Sequence, residues 1–163
     1  MGTTSIRGDW WSGFYLDMGN VNKEGGINLE NGKKPIRLVK QLIKWVSDKN
    51  SLIVDFFAGS GTTGQAVMEL NEEDEGKRQF ILITNNEEVV NGKKHKIMTD
   101  ICLPRIKNVI KGYNNKKGFG NSTKYYKTAF VGKNNILNAD DKDKIELAHN
   151  AGGMLAIAEN TLE

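Results

Sequence analysis

Leu52-Ile53-Val54-Asp55-Phe56-Phe57-Ala58-Gly59-Ser60-Gly61-Thr62-Thr63-Gly64 is the stretch whose reading decides the fold. Leu52 to Val54, followed by Phe56 and Phe57, is a short apolar run bounded by turn residues, the pattern of a buried parallel strand. Asp55 interrupts the run near its end. The glycine-rich turn Ala58 to Gly61 opens a helix over about Thr62 to Leu70. The acidic loop Asn71 to Gly76 then leads to a second apolar run, Phe80-Ile81-Leu82-Ile83. Strand, helix and strand fit the roughly 30 residues of a β-α-β unit, so the two runs are expected to be adjacent parallel strands joined by a right-handed crossover. The expected fold class is α/β.

The turn also carries chemistry. Glycines let a backbone turn sharply and approach a ligand, and the free N–H groups at a helix start favour a carboxylate. Asp55 at the strand end can take an ammonium, while the hydroxyls of Ser60, Thr62 and Thr63 can bond further polar atoms. A methionine moiety presents both charges, which suits S-adenosylmethionine. Gly59, Gly61 and Gly64 also satisfy G-x-G-x-x-G, which alone is a weak dinucleotide signal. A pyrophosphate would sit poorly beside the Asp55 carboxylate, and no G-K-[ST] follows to make a Walker loop. The plain alternative is a turn that only connects strand to helix, but three glycines and three hydroxyls exceed what turn chemistry demands.

Upstream, residues 1–33 hold seven glycines and two of the three tryptophans, Trp10 and Trp11, without helical period, and read as an irregular arm. A helix is expected from Pro35, with Ile36, Val39, Ile43 and Val46 beside Leu38 and Leu42 as a broad apolar stripe. Downstream, a helix from Pro104 to a left-handed stop at Gly112 is expected. A loop over Asn114 to Ser122, a strand over Lys124 to Val131, and a helix over Asp140 to Asn160 broken at Gly152-Gly153 complete the reading.

The 163 residues are 38% hydrophobic and 26% charged, which allows one domain. No apolar run is long enough to span a membrane and no secretory signal is present, so a cytoplasmic protein is expected. One cysteine, Cys102, with His95 and His149 gives neither an internal disulfide nor a metal constellation. The net charge of +3 hides an uneven spread: Lys93 to Lys127 holds ten Lys or Arg against one acid, and Asn138 to Glu163 six acids against two lysines. A clustered basic field attracts phosphate, although such a block can also be a solvated face.

Asp55 to Gly64 resembles motif I of the amino-methyltransferases that modify DNA adenine N6 or cytosine N4. Gly32-Lys33-Lys34-Pro35 before an amphipathic helix resembles the lysine-proline segment, motif X, that precedes motif I in the permuted β class. Lys77 to Glu87 resembles the strand whose end holds the ribose and adenine. With Arg105 to Tyr113, these segments resemble the modification (Mod) subunits of type III restriction systems and their adenine-specific relatives, over roughly Gly19 to Val131. The resemblance implies a partial Rossmann-like, S-adenosylmethionine-dependent methyltransferase fold, its cofactor-binding half. It implies cofactor contacts from Lys34, Pro35, Asp55, Phe56, Ala58, Gly59, Ser60, Gly61, Thr62 and Thr63. Many relatives place an acid at the end of the second strand; here Thr84, Asn85 and Asn86 stand there, so either Asn86 or Glu87 would meet the ribose.

The family's second motif, Asp, Asn or Ser followed by Pro-Pro and an aromatic residue, orients the flipped base. The two prolines, Pro35 and Pro104, are not adjacent, so no catalytic residue is assigned. In the β class that motif lies upstream, and Met1 before an irregular arm and the final Leu162-Glu163 fit a piece of a longer subunit. The expected organisation is an arm over 1–33, a partial methyltransferase domain over 34–131 and an acidic helical segment over 132–163.

For the intact subunit, the expected partners are double-stranded DNA, a second copy and a restriction (Res) subunit. Lys111, Lys116, Lys117 and Lys124, interleaved with Tyr113, Phe119, Tyr125 and Tyr126, are the candidate DNA contacts. Two other readings compete: a nicotinamide or flavin Rossmann domain, and a DNA-binding module without catalysis.

Overall fold

The computed structural model describes residues 13–29, 32–86, 88–90, 93–128 and 140–158. The chain divides into two compact units, Met1–Lys124 and Tyr125–Glu163.

The first unit is built on the β-α-β element. Strand β1 (Leu52–Asp55) pairs in parallel with β2 (Gln79–Leu82), in the register Leu52 to Gln79 through Asp55 to Leu82. Between them runs α2 (Thr62–Asp74), one turn longer than the apolar pattern suggests, because Asn71 to Asp74 continue the helix to a left-handed stop at Glu75. Backbone pairing extends past the strands: Ile83 donates to Asp55 O at 2.8 Å and Ala58 donates to Ile83 O at 3.1 Å. The glycine turn is thereby fastened to the end of β2.

Helix α2 is the centre of the core. Ala66, Val67 and Leu70 pack with Ile36 and Ile43 of α1 (Ile36–Val46), with Ile53 and Phe80 from the sheet beside them. Met68 packs with Ile106 and Val109 of α3 (Leu103–Lys111), against Phe80 and Leu82. Gly64 makes the second contact possible: a Cβ there would stand 2.7 Å from Ile106 Cδ1 and 3.0 Å from Leu82 Cδ1. The third glycine of the G-x-G-x-x-G pattern therefore serves helix packing.

Three expectations about burial and capping change. The strands are not buried on both faces, since Leu52, Val54, Ile81 and Ile83 are exposed while Ile53, Phe80 and Leu82 face the helices. Helix α1 starts at Ile36 with Pro35 as its cap, and only part of its stripe is used: Ile43 is buried, but Leu42 and Val46 face outwards. Gly112 has positive φ, 99°, but its ψ of 149° sends the chain into a strand instead of a left-handed helix cap.

Further differences follow α2. After a short hairpin, β3 (Glu88–Val90) with β4 (Lys93–His95), a π-helical turn over Ile97–Cys102 leads into α3. The glycine- and asparagine-rich stretch expected as a loop contains a second hairpin, β5 (Gly112–Tyr113) with β6 (Lys116–Lys117). Asn114 and Asn115 both adopt positive φ at its tip, which asparagine tolerates better than most residues. Residues 121–128 form no strand, and the rest of the strand expected to Val131 lies outside the described residues. Residues 13–29 of the arm form two 3-10 stretches, Phe14–Gly19 and Val21–Gly26, the second kinked at Glu24 and Gly25; Trp10 and Trp11 lie outside the described residues.

In the second unit, α4 (Asp141–Ala158) runs through Gly152 and Gly153 without a break. Each glycine costs about 1 kcal/mol of helix propensity. Among the described residues no helix is long and apolar enough to cross a membrane.

Candidate functional site

At the carboxyl ends of β1 and β2 the chain turns through Phe56 to Gly61, the place where open α/β sheets take ligands. Gly61 caps α2 with φ 78° and ψ 24°, a left-handed conformation that costs a side chain strain. A Cβ there would also stand 2.9 Å from the Cys102 sulfur. Burial pushes the Cys102 thiol up to about 11, so it stays protonated and acts as core packing beneath the turn.

Asp55 is partly exposed, and its two carboxylate oxygens are aimed by the turn itself. Oδ1 accepts the Phe57 N–H at 3.1 Å and Oδ2 accepts the Thr63 hydroxyl at 2.5 Å. Both bonds fix the direction of the carboxylate. Phe56 and Phe57 are exposed, Ala58 is buried and Gly59 is half-buried. Ser60 and Thr62 are buried, and their hydroxyls turn inwards: Arg105 Nη1 donates to Ser60 Oγ at 3.1 Å and to Thr62 Oγ1 at 2.8 Å. Of the three hydroxyls, only that of Thr63 lies on the Asp55 side of the loop's hydrogen bonding.

Arg105 is the residue sequence reasoning passed over. It is 0% exposed, and the fork also donates from Nε to Gln65 Oε1 at 2.9 Å and from Nη2 to Glu24 Oε2 at 3.4 Å. Gln65, itself buried, passes the connection to Glu69 and to the Tyr113 hydroxyl. A signal was available: Arg105 stands four residues after Ile101 and four before Val109, both buried, so a charge occupies the core stripe of α3.

The lysine-proline segment reaches the same network through the arm. Lys33 is buried, and its ammonium donates to the carbonyls of Asn22, at 2.9 Å, of Glu24, at 3.1 Å, and of Ile27. Burial and the nearby Arg105 guanidinium pull its pKa down to about 8, against the pull of Glu24. Burial raises Glu24, against Arg105 and the Ile36 N–H at the start of α1. Glu24 thus joins the start of α1 to the arginine under the turn. Lys34 is exposed and Pro35 buried at that start.

At the end of β2, Asn86 accepts the Thr99 N–H at 3.1 Å through Oδ1. That bond locks the side chain onto the π-helical turn and leaves its amide N–H groups to face elsewhere. Glu87 lies outside the described residues. Lys111, Lys116, Lys117 and Lys124 are all exposed, with Lys116 Nζ 5.5 Å from the centre of the Tyr113 ring. A separate depression of about 450 Å³ is lined by Asn22, Lys23, Gly26, Ile27, Asn28 and Asn114, none of them from the turn.

Comparison with known proteins adds a family to this geometry. Residues 5–99 match the model of a DNA methylase family of the N6 and N4 type. The Mod subunit of the type III restriction-modification enzyme StyLTI, from Salmonella typhimurium, is 35% identical over 162 residues, covering 87% of this chain and 24% of that protein. The EcoPI Mod subunit of Escherichia phage P1 is 44% identical over 92 residues, 53% of this chain and 14% of its own. The type II methyltransferase M.KpnI of Klebsiella pneumoniae is 35% identical over 77 residues, 46% of this chain and 18% of its own. The chain therefore spans about a quarter or less of the length of these relatives.

Proposed function

The chain belongs to the DNA methylase family whose model matches residues 5–99, and from that premise we propose that it carries the S-adenosylmethionine site of a DNA adenine-N6 methyltransferase. The observation that carries this reading is the aimed Asp55 carboxylate beside the left-handed Gly61 at the start of α2. An acceptor for an ammonium and a helix start for a carboxylate stand within one turn, the charge pattern of an amino acid. The residues fit the group. Asp55 would hold its ammonium, the N–H groups of Gly59, Ser60, Thr62 and Thr63 its carboxylate, and Asn86 or Glu87 its ribose, with Lys34, Pro35, Phe56 and Ala58 around them. When bound, S-adenosylmethionine supplies an electrophilic methyl on a sulfonium.

The protein's part is to hold that ligand and exclude water around it, in a partial Rossmann-like fold that is the cofactor half of the enzyme. The other half of the chemistry requires groups that accept the hydrogens of the target amino group and stack on the base. No adjacent proline pair is present to supply them, so the chain alone is inactive and the intact subunit active. In that subunit double-stranded DNA meets the exposed lysines 111, 116, 117 and 124, within a type III restriction-modification system that pairs a dimeric Mod subunit with a Res subunit in the cytoplasm. The domain division at 34–131 belongs to the same proposal.

Two measurements test it. Tryptophan fluorescence is expected to saturate with S-adenosylmethionine and not with NADH, and Asp55→Ala to weaken the former about ten-fold or more, as for loss of a charge-assisted bond. Tighter binding of NADH would move the chain to a dinucleotide-binding function. Methyl transfer from tritiated S-adenosylmethionine to unmodified DNA is expected from a full-length subunit and not from this chain.

A further inference from the structure

We propose that Arg105 is a positioning residue for the cofactor turn, holding Ser60, Thr62 and Gln65 in the ligand-binding shape and setting a fixed positive charge behind the start of α2 that favours a ligand carboxylate. The inference rests on the cofactor reading above. Nothing in the turn's local sequence requires an arginine from a helix some 40 positions away, yet the contacts are specific. Nη1 bonds both hydroxyls and lies 3.4 Å from the Ser60 carbonyl, while Nε takes Gln65 one turn into α2. The guanidinium thus grips the side chains and one carbonyl of the turn from below. The N–H groups of Phe57, Ala58 and Gly61 are spent within the protein, and those of Gly59, Ser60, Thr62 and Thr63 are left to face the ligand.

The arm is shaped to the same arginine. Gly25 has φ 70°, and a Cβ there would lie 2.3 Å from Arg105 Cγ. The only carboxylate hydrogen-bonded to the guanidinium among the described contacts is Glu24, at 3.4 Å, a long and single contact. The buried guanidinium sets a cation behind the start of α2, with Glu24 at 3.4 Å and Glu69 also within its field, and its charge adds to that of the helix start. A purely structural arginine would be satisfied by the same bonds but would not discriminate among ligands by charge.

The test uses that difference. Arg105→Gln removes the charge together with most of the five-donor fork, and the double variant Ser60→Ala/Thr62→Val keeps the charged arginine and unhooks it from the turn. Binding of S-adenosylmethionine and of its decarboxylated analogue, which differ by the carboxylate alone, is measured by calorimetry on the whole chain. Both variants are expected to weaken S-adenosylmethionine about ten-fold and the analogue about two-fold or less, the former being the loss of one charge-assisted interaction. Hydrogen exchange at the amides of 59–63 in the free protein is expected to quicken in both. Equal weakening of the two ligands, or of neither, overturns the proposal, as does unchanged exchange. If the unsubstituted chain binds neither ligand, the cofactor reading fails separately, and the exchange rates alone decide whether Arg105 positions the turn.

Discussion

At the scale of single residues, the buried polar groups around the turn set the most sensitive positions. Lys33→Met removes the donor to three carbonyls and is expected to cost about 2 kcal/mol, read by urea denaturation at pH 7. The same variant isolates a titration. Burial and Arg105 lower Lys33 from 10.5 to about 8, so between those values the folded state binds fewer protons than the unfolded one. Stability must then rise with pH across that window. The rise should be present in the unsubstituted chain and missing from Lys33→Met; parallel pH profiles would contradict it. Gly61→Ala meets both a left-handed backbone and the Cys102 sulfur, and is expected to cost about 2 kcal/mol. Thiol labelling of Cys102 during unfolding would report that loss, because the protected thiol should become reactive earlier in denaturant.

At the scale of elements, α1 and α2 are joined by an apolar seam with an ionic border. Lys40 reaches Glu69 at 3.2 Å and also Glu73, which in turn is 3.2 Å from Lys44. The Lys40 hydrogen bond, aided by Lys44, holds Glu73 below its ordinary value, outweighing the effect of burial. Its stabilisation is therefore fully present above pH 4.5 and lost as pH falls through the lowered pKa. Glu73 is 44% exposed, so Glu73→Gln should cost no more than about 0.5 kcal/mol, and less in high salt. Leu70→Ala in the seam itself should cost about 3 kcal/mol, and a smaller penalty for the leucine than for the glutamate would reverse this ranking. In α4, Gly153 has open space around its Cβ position and no positive φ, so Gly153→Ala should raise helix content and stability by about 0.5–1 kcal/mol. Circular dichroism of the two proteins measures it.

At the scale of the first unit, the two-stranded sheet is covered on one face. Leu52, Val54, Ile81 and Ile83 lie open on the other, with Phe57 92% exposed beyond them. Parallel sheets are covered on both faces in stable α/β proteins, and an open apolar face is an association site. The isolated chain is expected to bind a hydrophobic dye and to self-associate with rising concentration. Val54→Lys and Ile81→Lys should reduce both without lowering the helical signal. Sedimentation of a monomer at every concentration, with no dye binding, would contradict the expectation.

The β-α-β unit, the glycine turn and the aspartate at its edge were legible in the sequence because each depends on neighbours along the chain: short apolar runs bounded by turn residues, φ above zero, and a side chain two residues from the N–H it caps. The exposed strand face was not, because apolar runs state what a strand can bury and not whether a layer is there to bury it. The hairpin at Asn114-Asn115 was hidden for a related reason, since its residues suit a loop as well as a turn. The roles of Ser60 and Thr62 needed tertiary structure most of all. Hydroxyls in a glycine-rich turn suit a ligand or an interior cation equally well. The choice was made by Arg105, some 40 positions away, packed beneath them only once α3 lies on α2.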